Sequence, residues 1–165
     1  MRKIFITKSP KETQRLGKFL AEALTRKPGR RALVLALKGD LGGGKTSFAK
    51  GFAKGLGIEI RVASPTFVIL KKYDLSKKGE RSGKFERFFH IDSYRIGNMK
   101  EMADLGFKKI RENPANIILV EWAETVKEIL PRDAVWLDFE FLDARSRRIT
   151  VNSPRRFFLP PSASC

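Results

Sequence analysis

The stretch Gly39-Asp-Leu-Gly-Gly-Gly-Lys45-Thr46 constrains this chain more than any other. It fits the phosphate-binding pattern G-x-x-x-x-G-K-[ST] without a mismatch. Its flanks strengthen the match. Ala32-Leu-Val-Leu-Ala-Leu-Lys38 is an apolar run of buried-strand length, and Ser47 to Leu56 repeats apolar residues at helical spacing. Strand, glycine-rich turn and helix are the order that phosphate binding needs. The glycines let backbone N–H groups turn inward around phosphates, and the helix N-terminus adds positive potential. Lys45 then reaches the β- and γ-phosphates and the Thr46 hydroxyl ligates Mg²⁺. The pattern therefore predicts nucleotide binding by Gly39, Asp40, Leu41, Gly42, Gly43, Gly44, Lys45, Thr46 and Ser47.

With 165 residues the chain suits one domain with a real core. Its single cysteine, Cys165, excludes an intrachain disulfide and fits a reducing compartment. The first residues, Met1-Arg-Lys-Ile-Phe-Ile, lack the apolar core and cleavage site of a signal peptide. No apolar run approaches a membrane span, so a cytoplasmic location is expected. The formal charge is +16. Arg26, Lys27, Arg30 and Arg31 cluster before the first core strand, and five arginines lie between Arg145 and Arg156 without an acid. Such a field favours polyanions, or an acidic partner surface, but carries no sequence specificity.

Along the chain, Pro10–Leu24 reads as an amphipathic helix with Ser9 as its N-cap and Leu16, Phe19, Leu20 and Leu24 as its apolar stripe. Gly55-Leu-Gly57 ends the helix that follows the loop, and Ile58–Val62 suits a short strand. Val68–Leu75 and Phe85–Ile91 read as an antiparallel hairpin with a long polar tip. Met99–Leu105 is a short helix closed by Gly106, and Ile117–Val120 a buried strand. Glu124–Leu130 is a helix stopped by Pro131. Ala134–Leu142 and Arg148–Asn152 are further strands, joined by the basic turn Asp143–Arg147. Ser153–Cys165 is expected to be an irregular tail. Early alternation and later strands predict a three-layer α/β domain of phosphate-loop NTPase type spanning 1–165. Its mixed sheet has a parallel core and an antiparallel extension.

Hydrolysis of a bound nucleotide needs an acid on the metal side, a group that orients water and a segment that senses the γ-phosphate. Asp92 and Glu121 both follow apolar runs, at strand ends, where ligands bind in open α/β sheets. Either can serve the metal, with the other positioning water. Thr66, in Ser64-Pro-Thr-Phe67, is either a γ-phosphate sensor or part of an ordinary turn. Trp122 either shields the site or simply packs. His90 alternates with apolar neighbours and reads as a satisfied strand residue. The absence of Asn-Lys-x-Asp removes the guanine-selecting motif of common GTPases, which points to ATP. No inserted lid of the kind small-molecule kinases use is evident.

Several stretches then fall into one order: Gly39-Asp-Leu-Gly-Gly-Gly-Lys-Thr, Ser64-Pro-Thr-Phe, His90-Ile-Asp-Ser-Tyr-Arg95, Leu105-Gly-Phe, Val120-Glu-Trp-Ala-Glu and Ile129-Leu-Pro131. From about Pro10 to Ile149 the chain closely resembles the TsaE (YjeE) family. That family is the ATPase subunit of the bacterial machinery making N6-threonylcarbamoyladenosine in tRNA. The resemblance implies ATP and Mg²⁺ as ligands, with Lys45 and Thr46 as loop lysine and metal ligand. It implies a switch role for Thr66, matches Asp92 to the family's aspartate after the hairpin, and matches Glu121 and Trp122 to the pair needed for turnover, with Glu121 near the metal. The Thr7–Pro10 segment, including Pro10, and the region of Arg145 correspond to the adenine side. It further implies TsaB and TsaD as partners, with TsaD transferring the threonylcarbamoyl group to adenosine 37. The tRNA is then met indirectly, or directly through the basic surface. One departure is Gly43, where the family usually has alanine. A small-molecule or nucleoside kinase and a basic RNA-binding module with a vestigial ATP site are the competing readings.

Overall fold

The computed structural model describes residues 1–26, 29–58, 70–76, 85–96 and 99–154. Thr66 and its Ser64–Phe67 segment, most of the expected strand Ile58–Val62, the hairpin tip and nearly all of the tail lie outside the described residues. The described elements are β1 (Arg2–Thr7), α1 (Pro10–Leu24), β2 (Leu33–Gly39), α2 (Lys45–Gly55), β3 (Leu70–Asp74) and β4 (Arg87–Asp92). They continue with α3 (Met99–Asp104), α4 (Phe107–Glu112), β5 (Asn116–Glu121), a 3-10 segment (Ala123–Ile129), β6 (Val135–Phe141) and β7 (Arg147–Asn152).

All seven strands join one sheet in the order β1-β7-β6-β2-β5-β4-β3. Strands β6, β2, β5 and β4 are mutually parallel, while β1, β7 and β3 pair antiparallel at the margins. This is the mixed sheet expected, with a parallel core and antiparallel extensions. The apolar run of β2 explains its central place, because a strand covered on both faces cannot alternate with polar residues. Leu33, Leu35 and Leu37 face a layer built by α1 and α2, with Leu16, Leu20, Phe48 and Phe52. Ala32, Val34 and Ala36 face the opposite layer, with Met102, Phe107, Ala123 and Val126.

Helix α1 begins as its sequence dictates: the Ser9 hydroxyl accepts from the Glu12 N–H at 3.2 Å and Pro10 opens the first turn. It packs against α2 closely enough that a Cβ on Gly51 would overlap the Gln14 carbonyl, and one on Gly17 the Phe48 carbonyl. That crossing ties the start of α2, and with it the phosphate loop, to the sheet. Three boundaries depart from the sequence reading. Arg2–Thr7, to which the sequence reading assigned no element, forms a strand paired with Arg147–Asn152. Gly106 (φ 70°) does not only close α3 but also sets the turn that starts α4. The expected helix Glu124–Leu130 is a 3-10 segment interrupted at Val126, whose φ of −123° is not helical.

Candidate functional site

Strands β2 and β5 run in register from Leu33 opposite Ile117 to Leu37 opposite Glu121, and Asp92 of β4 lies opposite Glu121. Their carboxyl ends therefore deliver the loop after β2, Asp92 and Glu121 to one edge of the sheet. The loop follows from glycine chemistry. Gly39 (φ 124°), Gly42 (φ 75°) and Gly44 (φ 103°) occupy the left-handed region, and a Cβ on Gly39 would run into the Phe139 backbone of β6. Gly43 has an ordinary φ; its added Cβ would sit 3.0 Å from the Asp40 carbonyl oxygen. Helix α2 starts at Lys45, two residues earlier than the apolar spacing suggested, with Gly44 as its N-cap. The helix N-terminus thus opens onto the loop itself.

Lys45 is buried, and its ammonium donates to the carbonyls of Gly39 and Asp40, the latter at 2.9 Å. It also lies 3.6 Å from the centre of the Trp122 ring. Burial pushes its pKa below the ordinary lysine value, while Glu124, Glu121, Asp40 and Asp92 oppose that shift. Trp122 itself has a left-handed backbone (φ 59°), the single non-glycine case among the described residues. Such a conformation costs roughly 1–3 kcal/mol and persists only where neighbours hold it. Here the Thr125 hydroxyl donates to the Trp122 carbonyl at 2.8 Å, and the Ser93 hydroxyl lies 2.8 Å from the same oxygen. The turn aims the indole over Lys45, with Tyr94 against its outer side at 4.8 Å between ring centres. Trp122 thus stands against the loop lysine and Tyr94 at the mouth of the loop.

Glu121 is almost completely buried yet fully bonded. The Thr46 hydroxyl donates to its Oε2 at 2.8 Å, and His90 Nε2 lies 2.8 Å from its Oε1. Asp92, half-buried beside it, accepts from the Tyr94 N–H at 3.1 Å. Burial pushes the Asp92 carboxyl above its ordinary pKa, and the neighbouring Glu121 charge acts in the same direction. His90, read from the sequence as a strand residue with no part in chemistry, belongs to this cluster. Its spacing two residues before Asp92 was the available signal, since a strand places both on one face.

On the other flank of the loop lies a cavity of about 340 Å³, lined in part by Lys8, Pro10, Thr13, Ser47, Arg145 and Arg147. Its size falls within the range of small-molecule sites. Pro10 and Arg145, far apart in sequence, are brought together there. Arg147, not singled out in the sequence, half spans the gap: its Nη2 lies 3.5 Å from the Gly42 carbonyl, and its guanidinium stacks 4.2 Å from the Phe141 ring. The β6–β7 turn that carries Arg145 is held by Asp143, which accepts from the Arg145 and Ser146 N–H groups at 2.8 Å. Those bonds hold the Asp143 carboxyl below its ordinary pKa. Leu41 projects into solvent at the loop's tip.

The model of the family described as threonylcarbamoyl adenosine biosynthesis protein TsaE matches residues 7–149. The chain belongs to the TsaE family. A tRNA threonylcarbamoyladenosine biosynthesis protein TsaE from Bacillus subtilis is 39% identical over 147 residues, covering 89% of this chain and 83% of the relative. The TsaE protein of Treponema pallidum is 31% identical, covering 88% of this chain and 97% of its own length. A crystal structure of YdiB from Bacillus subtilis superimposes with a TM-score of 0.64 at 30% identity, over 93% of this chain and 86% of that one. The phosphate-loop NTPase-like fold expected from the sequence is thus found in the architecture and in this TsaE-family neighbour.

The donor set indicates which metal would fit. Thr46 and the two carboxylates supply hard oxygen atoms. Among the described residues no group of three or more His, Cys, Asp or Glu side chains forms a cage. Those oxygen donors would fit Mg²⁺, which takes few protein ligands and completes its shell with phosphate and water. Among the described residues no helix is long and apolar enough to cross a membrane.

Proposed function

We propose that this chain is a single-domain ATPase that binds ATP with Mg²⁺ on Gly39–Thr46 and hydrolyses it slowly. In this reading its turnover drives or resets a cytoplasmic TsaB–TsaD complex that makes threonylcarbamoyladenosine at position 37 of tRNA. One observation carries the hydrolytic part: the buried Glu121 carboxylate bonded to the Thr46 hydroxyl at the mouth of the loop. A carboxylate joined to the loop hydroxyl is the pairing that holds the metal in phosphate-loop NTPases.

The roles follow from that contact. Thr46 and Glu121 would hold Mg²⁺, which when bound draws charge from the phosphate oxygens. The loop N–H groups and the α2 N-terminus cradle the phosphates, and Lys45 compensates their charge. Asp92, adjacent and half-buried, orients the attacking water and holds its proton. Trp122 covers the Lys45 side and keeps bulk water from it. The cavity flanked by Pro10, Thr13, Ser47 and Arg145 takes the nucleoside. Thr66 remains the proposed γ-phosphate sensor. TsaB and TsaD complete the assembly, and TsaE membership together with the basic surface supports proximity to tRNA.

Phosphate release from ATP, measured with and without TsaB–TsaD and tRNA and with an added nucleoside acceptor, tests this reading. Free phosphate should appear slowly with the chain alone and faster with TsaB–TsaD, and Lys45→Ala should abolish nucleotide binding. Phosphate on the acceptor would replace the reading with a kinase. Salt-dependent RNA binding by wild type and Lys45→Ala alike, without phosphate release, would replace it with an RNA-binding module.

A further inference from the structure

We propose that His90 is a positioning residue for Glu121, locking its carboxylate in the orientation that turnover requires. The proposal rests on the ATPase reading above. His90 and Glu121 sit on adjacent parallel strands, where Asp92 pairs with Glu121 and His90 with Leu119. The imidazole is therefore the diagonal neighbour of Glu121 on the same face, within reach of its side chain. The carboxylate is held at both oxygens: Oε1 lies 2.8 Å from His90 Nε2, and Oε2 accepts from Thr46 at 2.8 Å. Glu121 is 2% exposed and His90 7%, so the contact between them is shielded from water, whereas Thr46 on the other oxygen is open to solvent.

The ring that makes this contact is itself fixed. Phe88 stacks on His90 with an interplanar angle of 16° and 6.3 Å between centres, and is backed by Phe52 and Tyr73. Core aromatics thus set the plane of the imidazole, the imidazole sets the carboxylate, and the carboxylate meets the loop threonine. A carboxylate that acts on a metal or water depends on partners of this kind for its orientation.

The test compares wild type, His90→Phe and His90→Gln in the TsaB–TsaD assembly. His90→Phe keeps an aromatic ring but removes the nitrogen; it should lower kcat about 10- to 100-fold and leave the KM for ATP unchanged. His90→Gln, whose amide N–H reaches the position of Nε2, should restore most of kcat. A folded His90→Phe protein with wild-type kcat, or a glutamine variant as slow as the phenylalanine one, overturns the proposal. A second readout needs neither folding of the phenylalanine variant nor activity. The chain has one histidine, so imidazole nitrogen NMR reports a single ring. A slowly exchanging Nε2–H whose resonance moves in Glu121→Gln is expected; a ring indifferent to that change overturns the proposal. Absence of phosphate release by wild type would instead defeat the ATPase reading, while the NMR result still decides the contact.

Discussion

On one flank of the Gly39–Thr46 loop, Glu121 and His90 are buried and meet through a 2.8 Å contact on two adjoining strands. On the other flank, Arg145 stands in solvent on a turn between β6 and β7, across a cavity from Pro10. The two flanks share the loop but obey different physics. In the buried flank each polar group is satisfied by another protein group, so a single loss leaves an uncompensated partner in a dry place. In the open flank, water and ions replace whatever is removed, and long exposed side chains contribute little each. Turnover should therefore depend steeply on a few residues of the first flank, and binding gradually on many residues of the second.

The largest effect expected is Glu121→Gln. It preserves shape but removes the charge, and should lower ATP turnover by about 100-fold or more while leaving ATP affinity nearly intact. Phosphate release and equilibrium nucleotide binding check it, and normal hydrolysis would sink the assignment of Glu121. Asp92→Asn comes next, with turnover reduced by about 100-fold and the opposite sign on stability. The folded protein holds the Asp92 proton more tightly than the unfolded chain. The cost of burying the ionised carboxylate is thus absent below the ordinary carboxylate range and develops as pH rises through the raised folded value. Metal-free Asp92→Asn should melt with wild type at low pH and above it at neutral pH. Thermal melts between about pH 4 and pH 8 would show a constant gap if burial were not the cause. Arg145→Ala is the smallest change: a few-fold loss of ATP affinity, or about 0.2–1 kcal/mol, with kcat preserved. The loss should fade as salt is raised, since an exposed charge is screened. An undiminished loss at high salt would mean that Arg145 acts through a buried contact.

The buried flank was only partly legible in the sequence. Asp92 and Glu121 could be read because each ends an apolar strand, and strand ends are where sheets of this kind place ligands. The i, i+2 spacing could place His90 on the face of Asp92, but its contact with Glu121 could not be read without knowing that β4 and β5 are parallel and in register, which is a long-range fact. The left-handed backbone of Trp122 is likewise invisible locally; it is imposed by Ser93 and Thr125 through the Trp122 carbonyl. The loop and α1 were fully legible, because positive-φ glycines and a Ser-Pro cap are local chemistry. Strand β1 was not. Its Ile4-Phe5-Ile6 run is only three residues long and two of them are exposed, and the strand forms by pairing with β7 at the far end of the chain. Nor was Arg147, which reaches the Gly42 carbonyl only because the β6–β7 turn folds back over the loop.

The most direct measurement sets ATP affinity beside single-turnover hydrolysis for Glu121→Gln and Arg145→Ala, in the same buffer with TsaB–TsaD present. A crossed pattern is expected, with hydrolysis lost and binding kept in the first variant, and binding weakened with hydrolysis kept in the second. Parallel losses in both variants would contradict a division of labour between a buried catalytic flank and an open binding flank.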